Sequence, residues 1–270
     1  SDNTSRADLF PDVFQLNDLE TFAGVVAVPA AQRTGYRFPT ESWGVFAEGS
    51  YKTGTVGLWH SKIKAPTWGS DRPDRVNYNA SAVRDQRVTT VWIDQEWNPA
   101  ERWTFKFGTN YARGELAPKS LFNNIFTEYQ NGYIYLLGER TQLEARSIFE
   151  TDGLRWISGI FFGSFHAISS EADLSVPYDP DRPITEQEAF YLGTENTLKA
   201  KIFDSRYNNV GAFTEVVRQW NDRVRSAAGL RVDDHGLSET SFAPRVSLNL
   251  KLSDRAQLKG LFGASYKSPS

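Results

Sequence analysis

Residues 102–113 read RWTFKFGTNYAR. From Trp103 onward every second residue is large or neutral (Trp103, Phe105, Phe107, Thr109, Tyr111), and between them stand Thr104, Lys106, Gly108, Asn110 and Ala112. Period-two alternation sets the two series on opposite faces of a β-strand. The fold turns on which solvent each face meets. In a water-soluble sandwich the aromatic face is core; in a membrane-spanning barrel it meets lipid while the polar face lines a wet lumen.

The same rhythm recurs on both sides of this stretch. Strand-like runs come in pairs joined by short polar turns: 42–51 with 55–63 about Thr53, 87–97 with 102–112 about Pro99, and 141–150 with 154–167 about Asp152. Two more pairs follow, 211–220 with 224–232 about Asp222 and 242–252 with 256–266 about Asp254. Ten strands of roughly nine to twelve residues are predicted, longer than the usual strand of about five or six. That length suits a tilted crossing of a bilayer. The other connections, 64–86, 114–139 and 167–207, are long and rich in Pro, Asp, Asn, Arg and Tyr, and 234–241 is shorter. Tight turns at one end and long loops at the other are the arrangement of a membrane barrel.

Charge placement assigns the faces, because Arg or Lys facing lipid at mid-bilayer costs roughly 2–4 kcal/mol. In 244–251 Arg245, Ser247, Asn249 and Lys251 share one side, and Val246, Leu248 and Leu250 the other. In 224–232 Val224, Ala228, Leu230 and Val232 oppose Arg225, Gly229 and Arg231, and in the last strand Leu258 and Phe262 oppose Gln257 and Lys259. Trp103, Phe105, Phe107, Val246, Leu248 and Leu250 are accordingly expected to face lipid, and Lys106, Arg225, Arg231, Arg245 and Lys259 the lumen. Glu215 and Arg218 fall on opposite faces, and Arg218 lies near a turn, where its head group can snorkel to the interface. Trp97, Trp103, Trp156 and Trp220 flank turns, as an interfacial girdle requires.

The 270 residues carry 30 basic and 33 acidic side chains, a formal charge of -3 that marks no nucleic-acid binder. No apolar run of about 18 residues exists, which excludes a transmembrane helix and leaves a barrel open. Cysteine is absent, so disulfides, thiolate nucleophiles and cysteine metal sites are excluded. No phosphate-cradling glycine motif occurs, and no cofactor is expected. Methionine is absent and the chain opens on the polar Ser1-Asp2-Asn3-Thr4-Ser5, so it reads as a piece of something longer.

Residues 212–233, AFTEVVRQWNDRVRSAAGLRVD, and 241–270, SFAPRVSLNLKLSDRAQLKGLFGASYKSPS, resemble the barrel domain of TonB-dependent outer-membrane receptors. In that family a strand with an Asp-Arg turn leads into one closing "aGlRyd", then into "sfsPrvslsy", a second Asp-Arg turn and a strand ending "ysrgFraPs". The counterparts are Asp222-Arg223, Ala228 to Asp233, Ser241 to Leu250, Asp254-Arg255 and Tyr266 to Ser270. Val232 stands where the family often has Tyr, and Lys267-Ser268 replaces Arg-Ala. The resemblance implies an all-β, antiparallel transmembrane barrel of 22 strands, of which residues 1–270 form a partial barrel domain without its plug domain and C-terminal strands.

It further implies a place in the Gram-negative outer membrane and contact with its lipid. The implied activity is uptake of a ferric siderophore or other iron complex, energised by TonB-ExbB-ExbD through the plug. Arg side chains and flat rings suit such ligands, so the extracellular-loop candidates are Trp68, Arg72, Arg75, Tyr78, Tyr178, Arg182 and Tyr191.

Other readings stand beside this one. A porin or a soluble β-sandwich binding module shares the alternation. A small outer-membrane protease barrel would activate water with Asp and His groups, and Asp233-Asp234-His235 is the stretch that offers them. Adjacent residues of a strand point to opposite faces, so pairing Asp234 with His235 needs a distorted backbone. Ser164 and His166 have the spacing of a strand pair, with no third group evident.

Overall fold

Ten strands run in chain order and pair antiparallel into one continuous meander in the computed structural model, which describes residues 11, 15–33, 40–67, 81–170, 174–183, 186 and 202–264. They are β3 (Glu41–Tyr51), β4 (Gly54–Pro66), β5 (Val83–Ala100), β6 (Trp103–Leu116), β9 (Leu136–Thr151), β10 (Leu154–Ser170), β11 (Ile202–Asn221), β12 (Val224–His235), β13 (Ser241–Ser253) and β14 (Ala256–Gly263). Two small ribbons stand outside the sheet, β1 (Leu19–Glu20) with β2 (Val26–Val28) and β7 (Leu121–Phe122) with β8 (Gly132–Tyr133). The ten strands coincide with the ten expected from alternation, but they run from 8 to 20 residues. β3 and β14 form the two edges, and neither has a second partner among the described residues.

The turns follow from local chemistry. Between Tyr51 and Gly54 only Lys52 and Thr53 turn the chain, with Lys52 at φ 53°. At the Asn221-Asp222-Arg223 turn the Asn221 side-chain oxygen accepts from the backbone N–H of Arg223 and Val224 at 2.9 and 3.0 Å, an Asx arrangement that replaces missing ladder bonds.

Among the described residues no second layer covers either face of the sheet, which removes the β-sandwich reading. On the aromatic face Phe107 is 48% and Phe262 67% exposed. Burial gathers instead at the loop end, where Tyr135, Leu137, Ile168, Leu174 and Tyr178 cluster with Tyr133 and Ile202 against them. A short turn at 125–127 is fixed by a capping box in which the Asn124 side chain accepts from Phe126 N–H and Thr127 Oγ1 accepts from Asn124 N–H. Tyr133 bridges to Leu174 through paired backbone bonds, tying the loop after β6 to the one after β10.

Candidate functional site: the charged face of the sheet

Directly paired residues share a face, so the register sorts every side chain. Trp103 pairs with Phe149, Phe149 with Trp156, Trp156 with Val216, Val216 with Ala228, Ala228 with Val246 and Val246 with Phe262. Phe105, Phe107, Leu248 and Leu250 lie on that same apolar face. Trp97, Trp103, Trp156 and Trp220 stand at its turn side, with Trp103 against Phe149 at 4.9 Å and Trp156 at 6.4 Å. Arg218 is also on this face, its guanidinium 5.5 Å from the Trp220 ring.

At the loop side the apolar band ends in a charge network. Glu139 accepts from Tyr111 Oη at 3.0 Å and pairs with Arg113 at 2.9 Å, and His166 lies between Glu139 at 3.3 Å and Asp204 at 2.9 Å. The His166 ring thus engages two carboxylates, and the suggested pairing with Ser164 is not formed. Above it, burial and then the Glu115 carboxylate, to which Tyr135 Oη donates at 3.1 Å, push the Tyr135 phenol above its ordinary range. Grooves of about 730 and 650 Å³ also lie on the apolar face, between ridges such as Phe107, Ile160 and Val210 where Ala145 and Ala212 leave room.

The opposite face carries charge along its whole height. Lys106, Arg225, Arg231, Arg245 and Lys259 all fall here. Three of them pair within the sheet: Lys106 with Glu96 at 2.8 Å, Arg231 with Asp233 at 2.7 Å and Arg245 with Glu215 at 3.0 Å. Arg225 and Lys259 hold no carboxylate among the described residues. Asp233 and His235 share this face while Asp234 points to the other, so the protease pair is not assembled. Among the described residues no group of three His, Asp or Glu side chains is placed to hold a metal.

Aromatic rings on this face lie flat against it. Phe161 sits over Gly211, Phe213 over Gly159 and Trp92 over Gly57, each the glycine's register partner. Arg231 stacks its guanidinium on Phe161 at 4.6 Å.

Of the loop candidates, Trp68, Arg72, Arg75, Tyr78 and Tyr191 lie outside the described residues. Tyr178 is 5% exposed and stacks on Tyr135 with ring centroids 4.3 Å apart, so its ring is closed off by the loop core. Arg182 is exposed and pairs with Asp179 at 3.1 Å. Sequence reasoning missed the wall rings Phe161, Phe165, Tyr207 and Phe213; their only sequence signal is large aromatics recurring on the series that also holds Gly159 and Gly211.

A protein-family model described as TonB dependent receptor-like, beta-barrel, matches residues 32–270. No curated protein sequence matches. Among solved structures, the FrpB iron transporter from Neisseria meningitidis aligns over 93% of this chain and 39% of its own at 10% identity, with a TM-score of 0.54. The siderophore receptor PirA from Acinetobacter baumannii aligns over 86% and 34% at 17% identity (TM-score 0.49), and a mutant of the ferric enterobactin receptor PfeA from Pseudomonas aeruginosa over 86% and 42% at 11% (TM-score 0.44). At these identities the likeness is one of fold. The chain spans 42% or less of each of these structures.

Proposed function

The chain belongs to the TonB-dependent receptor-like β-barrel family, and from that premise we propose that it forms part of the wall of an outer-membrane receptor importing an iron complex, such as a ferric siderophore, with energy relayed through TonB, ExbB and ExbD. One observation carries the reading. Among the described residues, between the turn-side Trp97, Trp103, Trp156 and Arg218 and the loop-side network of Arg113, Glu139, His166, Asp204 and Arg206 the apolar face holds no Lys or Arg, while the other face is charged from end to end. A water-soluble sheet has no use for such a band left uncovered, whereas lipid covers it at no cost and the tryptophans and the charge network sit where two head-group regions would be. The charged face then lines the lumen and meets water, a plug domain or cargo. This makes the protein a transporter and not an enzyme, since its work is passage and no bond is made or broken.

The test is accumulation of radioactive iron from ferric catecholate, ferric hydroxamate and haem by cells that express or lack the full-length receptor. Receptor-dependent uptake that stops when TonB is deleted or the proton gradient is collapsed is expected. Receptor-dependent uptake that persists without TonB, or no receptor dependence with any iron source, overturns the reading.

A further inference from the structure

Along β11–β14 the charged face is out of balance. It carries Arg225, Arg231, Arg245, Lys251 and Lys259 against Glu215 and Asp233, five cations to two carboxylates. Arg231 holds Asp233 and Arg245 holds Glu215. The surplus, Arg225, Lys251 and Lys259, lies at the turn end, where Arg225 and Lys259 are both register partners of Asn249. All three are exposed.

The turns below extend this surplus. Arg223 and Arg255, one from each Asp-Arg turn, line the same cavity of about 460 Å³ as Arg225 and Lys251, and the backbone N–H of Lys251 donates to the Arg223 carbonyl at 2.7 Å. The carboxylates of this cavity are Asp222 and Asp254, both in exposed turns. Asp254 takes Lys251 at 2.7 Å, an exposed pair of the weak kind, which does not keep Lys251 from a better partner. At the turn end of β5, β6 and β9 the same face differs in sign: Asp94, Glu96 and Glu144 share a cavity with Lys106 and Arg146, and each of those cations already holds a glutamate.

A run of carboxylates fits the basic sector better than a single anion does. β12 and β14 stand two strand spacings apart, about 10 Å, and one phosphate is too small to span that width. An extended peptide repeats a side chain on one side about every 7 Å, and basic clusters take acidic segments through charge-assisted hydrogen bonds. We propose that Arg223, Arg225, Lys251, Arg255 and Lys259 form a docking surface for an acidic peptide segment of a periplasmic partner protein. The side follows from the barrel reading, on which the proposal rests and in which tight turns face the periplasm; the nature of the cargo plays no part. Arg223 and Arg255 stand in the turns, past the strand ends, and meet the segment first. Arg225 and Lys259 then anchor it to the wall, and Lys251 exchanges Asp254 for a carboxylate of the partner.

The test titrates full-length receptor in detergent with a fluorescein-labelled peptide of alternating Glu and Ser, and with its counterpart of Lys and Ser, read by fluorescence anisotropy. Only the Glu peptide is expected to bind, and less tightly as salt shortens the screening length. Arg225→Gln combined with Lys259→Gln raises its Kd about threefold to tenfold, the effect of losing two exposed charge pairs. Lys106→Gln, whose lysine already holds Glu96, leaves it unchanged. Arg225→Glu combined with Lys259→Glu makes the Lys peptide bind and the Glu peptide fail, a reversal that loss of fold does not produce. The docking surface is overturned if the wild type does not bind the Glu peptide, as when the receptor's own chain fills the cavity. It is overturned too if the neutralised and charge-reversed variants bind that peptide as the wild type does, or if inorganic phosphate binds as tightly as the peptide. A receptor that gives any of these results yet takes up iron through TonB loses the docking surface and keeps the importer reading.

Discussion

At Gly211 the backbone of β11 lies directly beneath the Phe161 ring, and a methyl group there would overlap Cε1 and Cζ of the ring and come within 2.9 Å of the Val232 carbonyl oxygen. Glycine in a strand usually weakens it; here it lets an aromatic ring lie flat on the wall, where Arg231 stacks on its outer side at 4.6 Å. Gly211→Ala must push the ring off the sheet and break that stack. The expected cost is about 1–3 kcal/mol, the range for overpacking a fitted contact, read from urea unfolding of the full-length protein in detergent. Phe161→Leu in the same chain should return the share of the cost that comes from the ring, because the smaller side chain vacates that overlap, while the share set by the Val232 carbonyl remains. Two independent additive losses would mean the two residues do not interact.

At the scale of a strand, β6 carries the same argument in one dimension. Phe107 stands mid-strand on the apolar face, while Lys106 points the other way and holds Glu96. Phe107→Arg should destabilise the protein by about 2–4 kcal/mol in a bilayer, the depth-dependent cost of a cation against lipid, whereas Lys106→Gln should leave the unfolding midpoint where it was. Equal tolerance at both positions would mean that neither face meets lipid. Alternation made all ten strands legible in the sequence, because each apolar band must repeat every second residue and polar turns must end it. The strand ends were not legible: β5 begins at Val83 and β11 at Ile202, beyond the apolar band, where Asp85, Arg87, Asp204 and Arg206 still pair through their backbones. Apolar periodicity vanishes there, but the ladder does not depend on it. The site was read less well, for a related reason. Tyr178 looked like a loop ring open to ligand, yet its burial against Tyr135 depends on a bridge from Tyr133 to Leu174 that no local pattern announces. The stacking of Phe165 on Tyr207, with ring centroids 4.7 Å apart, likewise needs the register of β10 with β11, and a sequence displays spacing along a strand, not between strands.

For the whole molecule the deciding feature is that the sheet is open among the described residues, with β3 and β14 as edges of 11 and 8 residues. In lipid an unpaired backbone N–H or C=O costs several kcal/mol, so a spanning sheet cannot stay open. Two closures are physically available. In one, β3 and β14 pair with further strands of a wider barrel, as the implied 22 strands require; in the other, they pair with each other and the ten strands make a small barrel of their own, as a porin-like or protease-like protein would. The family match and the 39% coverage of the FrpB chain favour the wider barrel. Residues 1–270 expressed alone should then be driven to pair their edges between copies, because such edges are templates for association. Light scattering in detergent should find oligomers or aggregates of this piece, while the full-length receptor should give folded barrels with no free edge to pair. The absence of cysteine allows a second reading of the same sample: cysteines placed at Val45 and Phe262, one on each edge strand and both on the apolar face, should cross-link between different copies and not within one. A monomer of the piece that cross-links internally would show β3 closing on β14, and the wall of a wider barrel would give way to a self-contained ten-stranded one.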